Sequence, residues 1–394
     1  MKFNLFSQTL LVLAGSIVLF SSCKKQKVKD KKAEYVENVS NIAYNAYLDS
    51  YNTAVELKDA IDAFVANPTS ATHETAKEKW LTAREAYGIT EVFRFQDGPI
   101  DDEDGPEGAL NAWPLDEAYI DYVDGDPNAG LVNNTSVTID PSTLRSKNEV
   151  GGEKNISIGY HAIEFLLWGQ DDPNTSLKTP GDRPYTDYVT GGSGTASNQD
   201  RRGAYLKICA EILVEDLNGL VQEWKEGGSY RTTFTSMESD DAIAKILTGM
   251  GVLSKGELAG ERMFVALDNA DQEDEHSCFS DNTDRDVILN AQGIYNLYFG
   301  EMTKIDGTVI SGASLEDILE INDKDTYEEY SAVFENTLAD VKKVPDPFDY
   351  ALTQESVGGD GPIMTAIESL QNQGDEIVNI ASDLGLTVSN ELPE

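Results

Sequence analysis

Between Tyr35 and Phe64 the apolar residues Val36, Val39, Ala43, Ala46, Tyr47, Tyr51, Ala54, Leu57, Ile61 and Phe64 recur three or four positions apart. That spacing lays a single stripe along one long helix, and such a stripe must be covered by other helices. Asn67-Pro68 closes the segment. A second helix is predicted from Ser70, as its cap, to about Phe95, and a third from Ile158 to Trp168. A fourth spans Arg201 to Trp224, with Leu206, Cys209, Ile212, Leu213, Leu217, Leu220 and Val221 on one side. The second half repeats the rhythm over 240–268, 284–299, 314–341 and 362–384. No short-period repeat is visible, so the economical fold is all-α: two four-helix-bundle-like domains packed together, 35–230 and 231–394, with long irregular loops. The longest loop, 96–155, carries a short helical candidate at 115–122 and a strand candidate near Val137, and a loop of that length is usually functional.

Charge excludes one class of partner. The 394 residues hold 30 Lys+Arg against 70 Asp+Glu, a net charge of -40, which argues against a nucleic-acid binder. With three histidines and three cysteines, readings built on several zinc ions, attached haem or a disulfide framework lack residues, so any metal or acid–base site must lean on carboxylates.

The N-terminus reads as an address. An early Lys2, an apolar run from Leu10 to Phe20 and small residues before a cysteine have the form of a secretory signal, too short to span a membrane. Leu19-Phe20-Ser21-Ser22-Cys23 resembles a lipobox, so residues 1–22 are expected to be removed and Cys23 lipidated; a plain signal peptide is the competing reading. Residues 24–34 hold six lysines and are expected to form an unstructured basic tether suited to anionic headgroups. The tether lacks the acidic residues associated with surface export in Bacteroidetes-type lipoproteins. The expected location is therefore the periplasmic face of the outer membrane, held by lipid alone.

Several familiar motifs fail. Gly249-Met250-Gly251-Val252-Leu253-Ser254 lacks the last glycine of a dinucleotide fingerprint, and Asp124 to Thr135 has Ala129 and Thr135 where a calcium hand needs glycine and glutamate. Gly191-Gly192-Ser193-Gly194-Thr195 is not a nucleophile elbow. In Gly159-Tyr160-His161-Ala162-Ile163-Glu164, by contrast, His161 and Glu164 share one helix face among apolar neighbours and can converge on an ion or a proton. A structural His–Glu hydrogen bond accounts for the spacing equally well, and the local motif supplies at most two of the ligands a zinc protease needs. His276, in the acidic run from Asp271 to Asn282, either completes a site or is solvated. His73 reads as a surface residue and Cys209 as a core thiol, with a pairing to Cys278 left open. Glu91 and Arg94 can pair at the end of the second helix, which would point to an orienting role if they are buried.

Together the segments Trp80–Tyr87, EVFRFQDGPID, Asn111–Asp116, GYHAIE, and GELAGERM running on to DEHSCFSDNT resemble the imelysin family, also called the insulin-cleaving metalloprotease-like family of bacterial envelopes. The resemblance implies two related four-helix bundles with a site where they meet, and it carries two labels: metallopeptidase and iron-regulated envelope protein. It further implies His161, Glu164, Glu275 and His276 as metal residues, Glu164 as the catalytic group of a peptidase, and Glu91, Arg94, Arg262, Ser277, Ser280 and Asp281 as ligand-binding residues. Many members have histidine just after the Asp-Asn-Thr step, where this chain has Asp284; a ligand at that position would change affinity or metal preference.

The expected function is an envelope lipoprotein that binds a metal ion or small metal-containing ligand between two helical domains, within iron uptake and alongside other iron-uptake envelope components. Carboxylates with one or two imidazoles suit iron or manganese as well as zinc. The alternatives are a zinc-dependent metallopeptidase and a metal-free binder of an organic ligand.

Overall fold

The computed structural model describes residues 6–322 and 326–392, with side chains from Lys24 onward, so the first five residues of the expected signal segment and the Cys23 side chain lie outside the described residues. The chain is predominantly α-helical, as the periodicity predicts. Its longer helices are α1 (Phe6–Ala66), α2 (Ser70–Gly88), α3 (Tyr160–Trp168), α4 (Gln199–Trp224), α5 (Ser239–Gly251), α6 (Thr283–Phe299), α7 (Leu315–Asn322), α8 (Tyr327–Val341) and α9 (Pro362–Asp383). The stripe on α1 is buried as predicted, apart from the half-buried Tyr51, and packs chiefly on α2 and α4. One hydrophobic cluster runs from Tyr35 to Ala381 and draws on each of α1 to α9, while a second gathers Leu258, Val287, Val341, Ile367 and their neighbours.

Six expectations are corrected. Residues 24–34 continue α1 as helix where a loose tether was expected. Their lysines are good helix formers, and they find partners: Gln26 donates to Asp30, Lys31 pairs with Glu34 and Asp317, and Lys32 pairs with Asp240 at 2.6 Å. Ser70 is the first helical residue rather than the cap, a role taken by Thr69 in a capping box with Thr72. The second helix ends at Gly88 and tightens into a 3₁₀ turn, Ile89–Phe93, because α2 and α6 cross there: a Cβ on Gly88 would lie 2.7 Å from the Leu289 Cβ. The helix predicted over 240–268 is α5, then a π-helix at Val252–Phe264, then a short α turn. Near Val137 there is no strand; among the described residues the only sheet pairs β1 (Glu301–Thr303) with β2 (Val309–Ser311).

His73 is the sixth. It is 3 % exposed, its Nε2 is 2.8 Å from the Leu167 carbonyl oxygen, and its ring stacks on Phe64, because the first turn of α2 docks on the end of α3. Burial, aided by the charge of Lys77, lowers its pKa to about 4. An unfolded histidine titrates near 6.5, so as pH falls from about 6.5 toward 4 the unfolded chain takes up a proton that folded His73 refuses. The expected loss reaches about 3 kcal/mol below pH 4. Denaturation of wild type and His73→Gln across this range should show the variant losing less stability on acidification; equal losses would remove His73 as a source.

The long loop is not loose. Asp121, fully buried, accepts from Arg202 Nη2 at 2.9 Å and from Arg183 Nη1 at 2.9 Å, which fastens the loop to α4 and to the segment after α3. Cys209 lies in the core as expected, and it and the buried Cys278 are both free.

Candidate functional site

Three polar clusters meet where α2 and α3 approach α6 and the π-helix. The first is centred on Arg84, which α2 points inward with no exposed surface. Its Nε and Nη2 donate to Asp286 Oδ1 and Oδ2 of α6 at 3.2 and 2.7 Å, and its Nη1 donates to Asn111 Oδ1 at 2.6 Å. Burial alone would raise the Asp286 carboxyl, but Arg84 outweighs it, with help from His276, and holds Asp286 far below the usual carboxylate range. Asp286 therefore accepts, from Ser277 Oγ at 2.6 Å and from His276 Nδ1 at 2.8 Å. Burial, with the charge of Arg262, lowers the His276 pKa to about 4, so the imidazole is neutral at pH 7 and its proton sits on Nδ1. Its Nε2 is left as an acceptor, 3.4 Å from Asn111 Nδ2.

The second cluster is the predicted His–Glu pair. Gly159 opens α3 at a φ of 92°, and a Cβ there would lie 2.7 Å from the Leu110 carbonyl oxygen, which is why this position takes glycine. One turn on, His161 Nδ1 is 2.9 Å from Glu164 Oε2, and Glu164 Oε1 accepts from the Ser280 N–H and O–H at 3.0 and 2.7 Å. Burial raises the Glu164 pKa to about 8 against the pull of those bonds. Burial, then the charges of His276 and Arg84, pushes His161 well below its ordinary value. The His161 Nε2 is buried and has no hydrogen-bond partner. Its ring meets that of His276 edge-on at 4.7 Å between centroids, and Trp113 packs on both.

The third cluster joins Glu91, Arg94 and Arg262. Glu91 Oε2 accepts from Arg262 Nη2 at 2.6 Å and from Arg94 Nη1 at 3.2 Å. Burial opposes ionisation, yet Arg262 and Arg94 outweigh it and hold Glu91 at about 2. Arg262 also donates to Glu257 Oε1 at 2.8 Å and to Asn290 Oδ1 at 2.5 Å. In a π-helix the hydrogen bond runs from i to i+5, and that wide turn sets Glu257 and Arg262, five residues apart, side by side. A cleft of about 350 Å³ opens beside this cluster, lined by Arg94, Asn111, Trp113, Glu257, Arg262 and His276 among others.

The structure thus brings together eight of the ten residues carried over from the resemblance. Asp281 lies elsewhere, with a carboxylate oxygen within 4.8 Å of those of Asp171 and Asp349, and the buried Glu275 has an oxygen without a hydrogen-bond partner. Asp284 is buried beside Asp346 and Asp286, and burial raises its pKa to about 6. Sequence reasoning missed Arg84, Asn111, Trp113 and Glu257, although each stood inside a segment quoted for the resemblance, and it missed Asp286 and Asn290.

Both imidazoles have Nδ1 tied to a carboxylate, Glu164 for His161 and Asp286 for His276, the arrangement that in metal sites orients Nε2 toward the ion. Such a donor set suits a divalent ion or a ligand that carries one. It does not make a full zinc-enzyme site, since the only group of three or more close ligand atoms among the described residues lies elsewhere, at Asp171, Asp281 and Asp349.

Comparison with known proteins agrees with the fold. The profile of the imelysin family matches residues 43–377. The chain is 25% identical over 363 residues to iron-regulated protein A of Synechococcus elongatus, covering 90% of this chain and 86% of that one. A crystal structure of a candidate iron-regulated protein A precursor from Parabacteroides distasonis superposes with a TM-score of 0.69 at 20% identity, covering 90% of this chain and 95% of that one.

Proposed function

The chain belongs to the imelysin family, and from that premise we propose that it is a lipid-anchored envelope protein holding a metal ion or a small metal-containing ligand at the His161–His276 site, in the service of iron uptake. The observation that carries the reading is the buried, unpartnered His161 Nε2 beside the neutral His276. A buried polar atom without a partner costs free energy, and a bound Lewis acid would remove that cost.

In this reading His161 and His276 are the ligands, and Glu164 and Asp286 hold them in position. The Glu164 oxygens are already engaged by His161 and Ser280, so that carboxylate orients rather than binds. Two protein nitrogens leave most of the coordination sphere to the incoming species, which suits a captured iron complex better than a resident zinc. Arg94 and Arg262 at the cleft give such a complex cationic donors for anionic oxygens. The names of the relatives support the iron connection, and the lipobox at Cys23 supports the envelope location.

The test is calorimetric titration of the purified chain with ferrous, ferric citrate and zinc salts, repeated on His161→Ala and His276→Ala, beside a protease assay with chelator controls. Stoichiometric iron binding that weakens by about tenfold or more in each variant, without proteolysis, is the expected result. Chelator-sensitive proteolysis abolished by Glu164→Gln would establish the peptidase instead, and unchanged affinity in both histidine variants would remove the site.

A further inference from the structure

Beside the imidazole pair lies a second group of donors of a different kind. Asp171 follows α3, Asp281 follows the serine that holds Glu164, and Asp349 lies in a short helix, Phe348–Leu352, ahead of α9. Each offers a carboxylate oxygen, and the three atoms lie within 4.8 Å of one another. Three chain segments far apart in sequence have been folded so as to press like charges together. Coulomb repulsion and desolvation both oppose this unless something positive sits among them.

The neighbours supply little positive charge. Asp171 accepts one weak bond, from Gln272 Nε2 at 3.3 Å. The cationic side chain with a marked effect on Asp349 is Lys178, whose Nζ lies 3.6 Å above the Tyr350 ring. Two further observations point to a ligand. Asp349, 5 % exposed, has its Oδ1 buried without a partner, as does the Asp171 Oδ1. Glu275, 1 % exposed, also has an unpartnered oxygen, and the charges that act on it most are Asp349, Asp281 and Asp171.

We propose that Asp171, Asp281 and Asp349 form a separate, all-oxygen site for a hard divalent cation, and that the cation is calcium. Calcium binds oxygen at about 2.3–2.6 Å, so ligands facing each other across it stand roughly 4.6–5.2 Å apart, a span that admits the observed spread. Magnesium at about 2.0–2.1 Å would require a tighter cage, and it gives up its water reluctantly. The donor set has no nitrogen or sulfur, which selects against the softer metals suited to the imidazole pair. Asp171 also lines a cleft of about 460 Å³ with Gln170, Asp172 and Arg183, which gives the ion a route in. The ion would clasp the loop after α3, the 275–281 segment and the C-terminal half together. Since Ser280 holds Glu164, it would also steady the wall of the imidazole site.

The experiment is calorimetry and thermal unfolding of the full chain, stripped with a calcium chelator and titrated with calcium chloride, for wild type, Asp281→Asn, Asp349→Asn and His161→Ala. Wild type and His161→Ala should each bind one calcium ion and melt at higher temperature with it. In both aspartate variants calcium affinity should fall by about tenfold or more, while without calcium each should melt no lower than wild type, because a repulsion has been relieved. The half-buried Asp281→Asn carries the test if Asp349→Asn fails to fold. Calcium binding that is equal in wild type and Asp281→Asn would be diffuse attraction to a chain of net charge -40 and would overturn the proposal. So would the lack of a calcium response in wild type, which would leave protons to neutralise the cluster, or magnesium binding as tight as calcium.

Discussion

Replacing Arg84 by methionine is expected to destabilise the folded chain by about 3–5 kcal/mol, the cost of leaving a buried charge without its partner. The stranded charge would be Asp286, fully buried and dependent on the bidentate Arg84 bonds for its ionised state. Asn111 would lose its donor as well, and with it the contact to the His276 Nε2. Denaturant unfolding measures the loss. The double variant Arg84→Met with Asp286→Asn should regain part of it, since removing both charges leaves none stranded. A single variant that loses less than about 1 kcal/mol, the worth of an exposed pair, would mean that Asp286 finds other compensation.

Asp121→Asn is expected to cost a similar amount, about 3–5 kcal/mol, and to show itself in a different place. Asp121 lies in the long loop and neutralises the buried Arg202 and Arg183 together. Asp187 alone would remain for Arg183, at 3.5 Å, and Arg202 would keep only carbonyl acceptors. The loop should then detach before the helical core unfolds, so limited proteolysis would cut within 96–155 while the remainder resists. Cleavage spread evenly over the chain would show that the loop and the core unfold together.

The two arginine–aspartate anchors mark the boundary of what the sequence reveals. The α1 stripe is plain because burial imposes a period of 3.6 on neighbouring residues. Arg84 and Asp286 are 202 positions apart and share no period, so their meeting leaves no local trace. The same holds for Asp121 with Arg202, which is why the long loop reads only as irregular while the anchors that staple it down leave no sign. His161 and Glu164 are legible because they lie one turn apart on a single helix. The fate of His276 depends on what packs over its loop, and composition counts that loop as solvated although it is buried. The basic segment misleads in the opposite direction: lysine-rich composition suggests solvation, but lysine is compatible with a helix, and the decisive acidic partners Asp240 and Asp317 come from distant elements. The π-helix is invisible because its residues would fit an ordinary helix; only the pairing of Glu257 with Arg262 across its wide turn gives it away.

The continuous run of α1 has a mechanical consequence. From Lys24 to Ala66 it forms a rod of about 65 Å at 1.5 Å per residue. The rod is braced near its outer end, where Lys24 donates to the Asn322 carbonyl oxygen and Lys32 pairs with Asp240. Whatever lies ahead of Lys24 is therefore coupled to the core as a handle is to a blade. Torque or tilt applied at that end turns the whole body, and the mouth of the cleft with it, so attachment there sets the direction in which the cleft faces as well as its distance from the point of attachment.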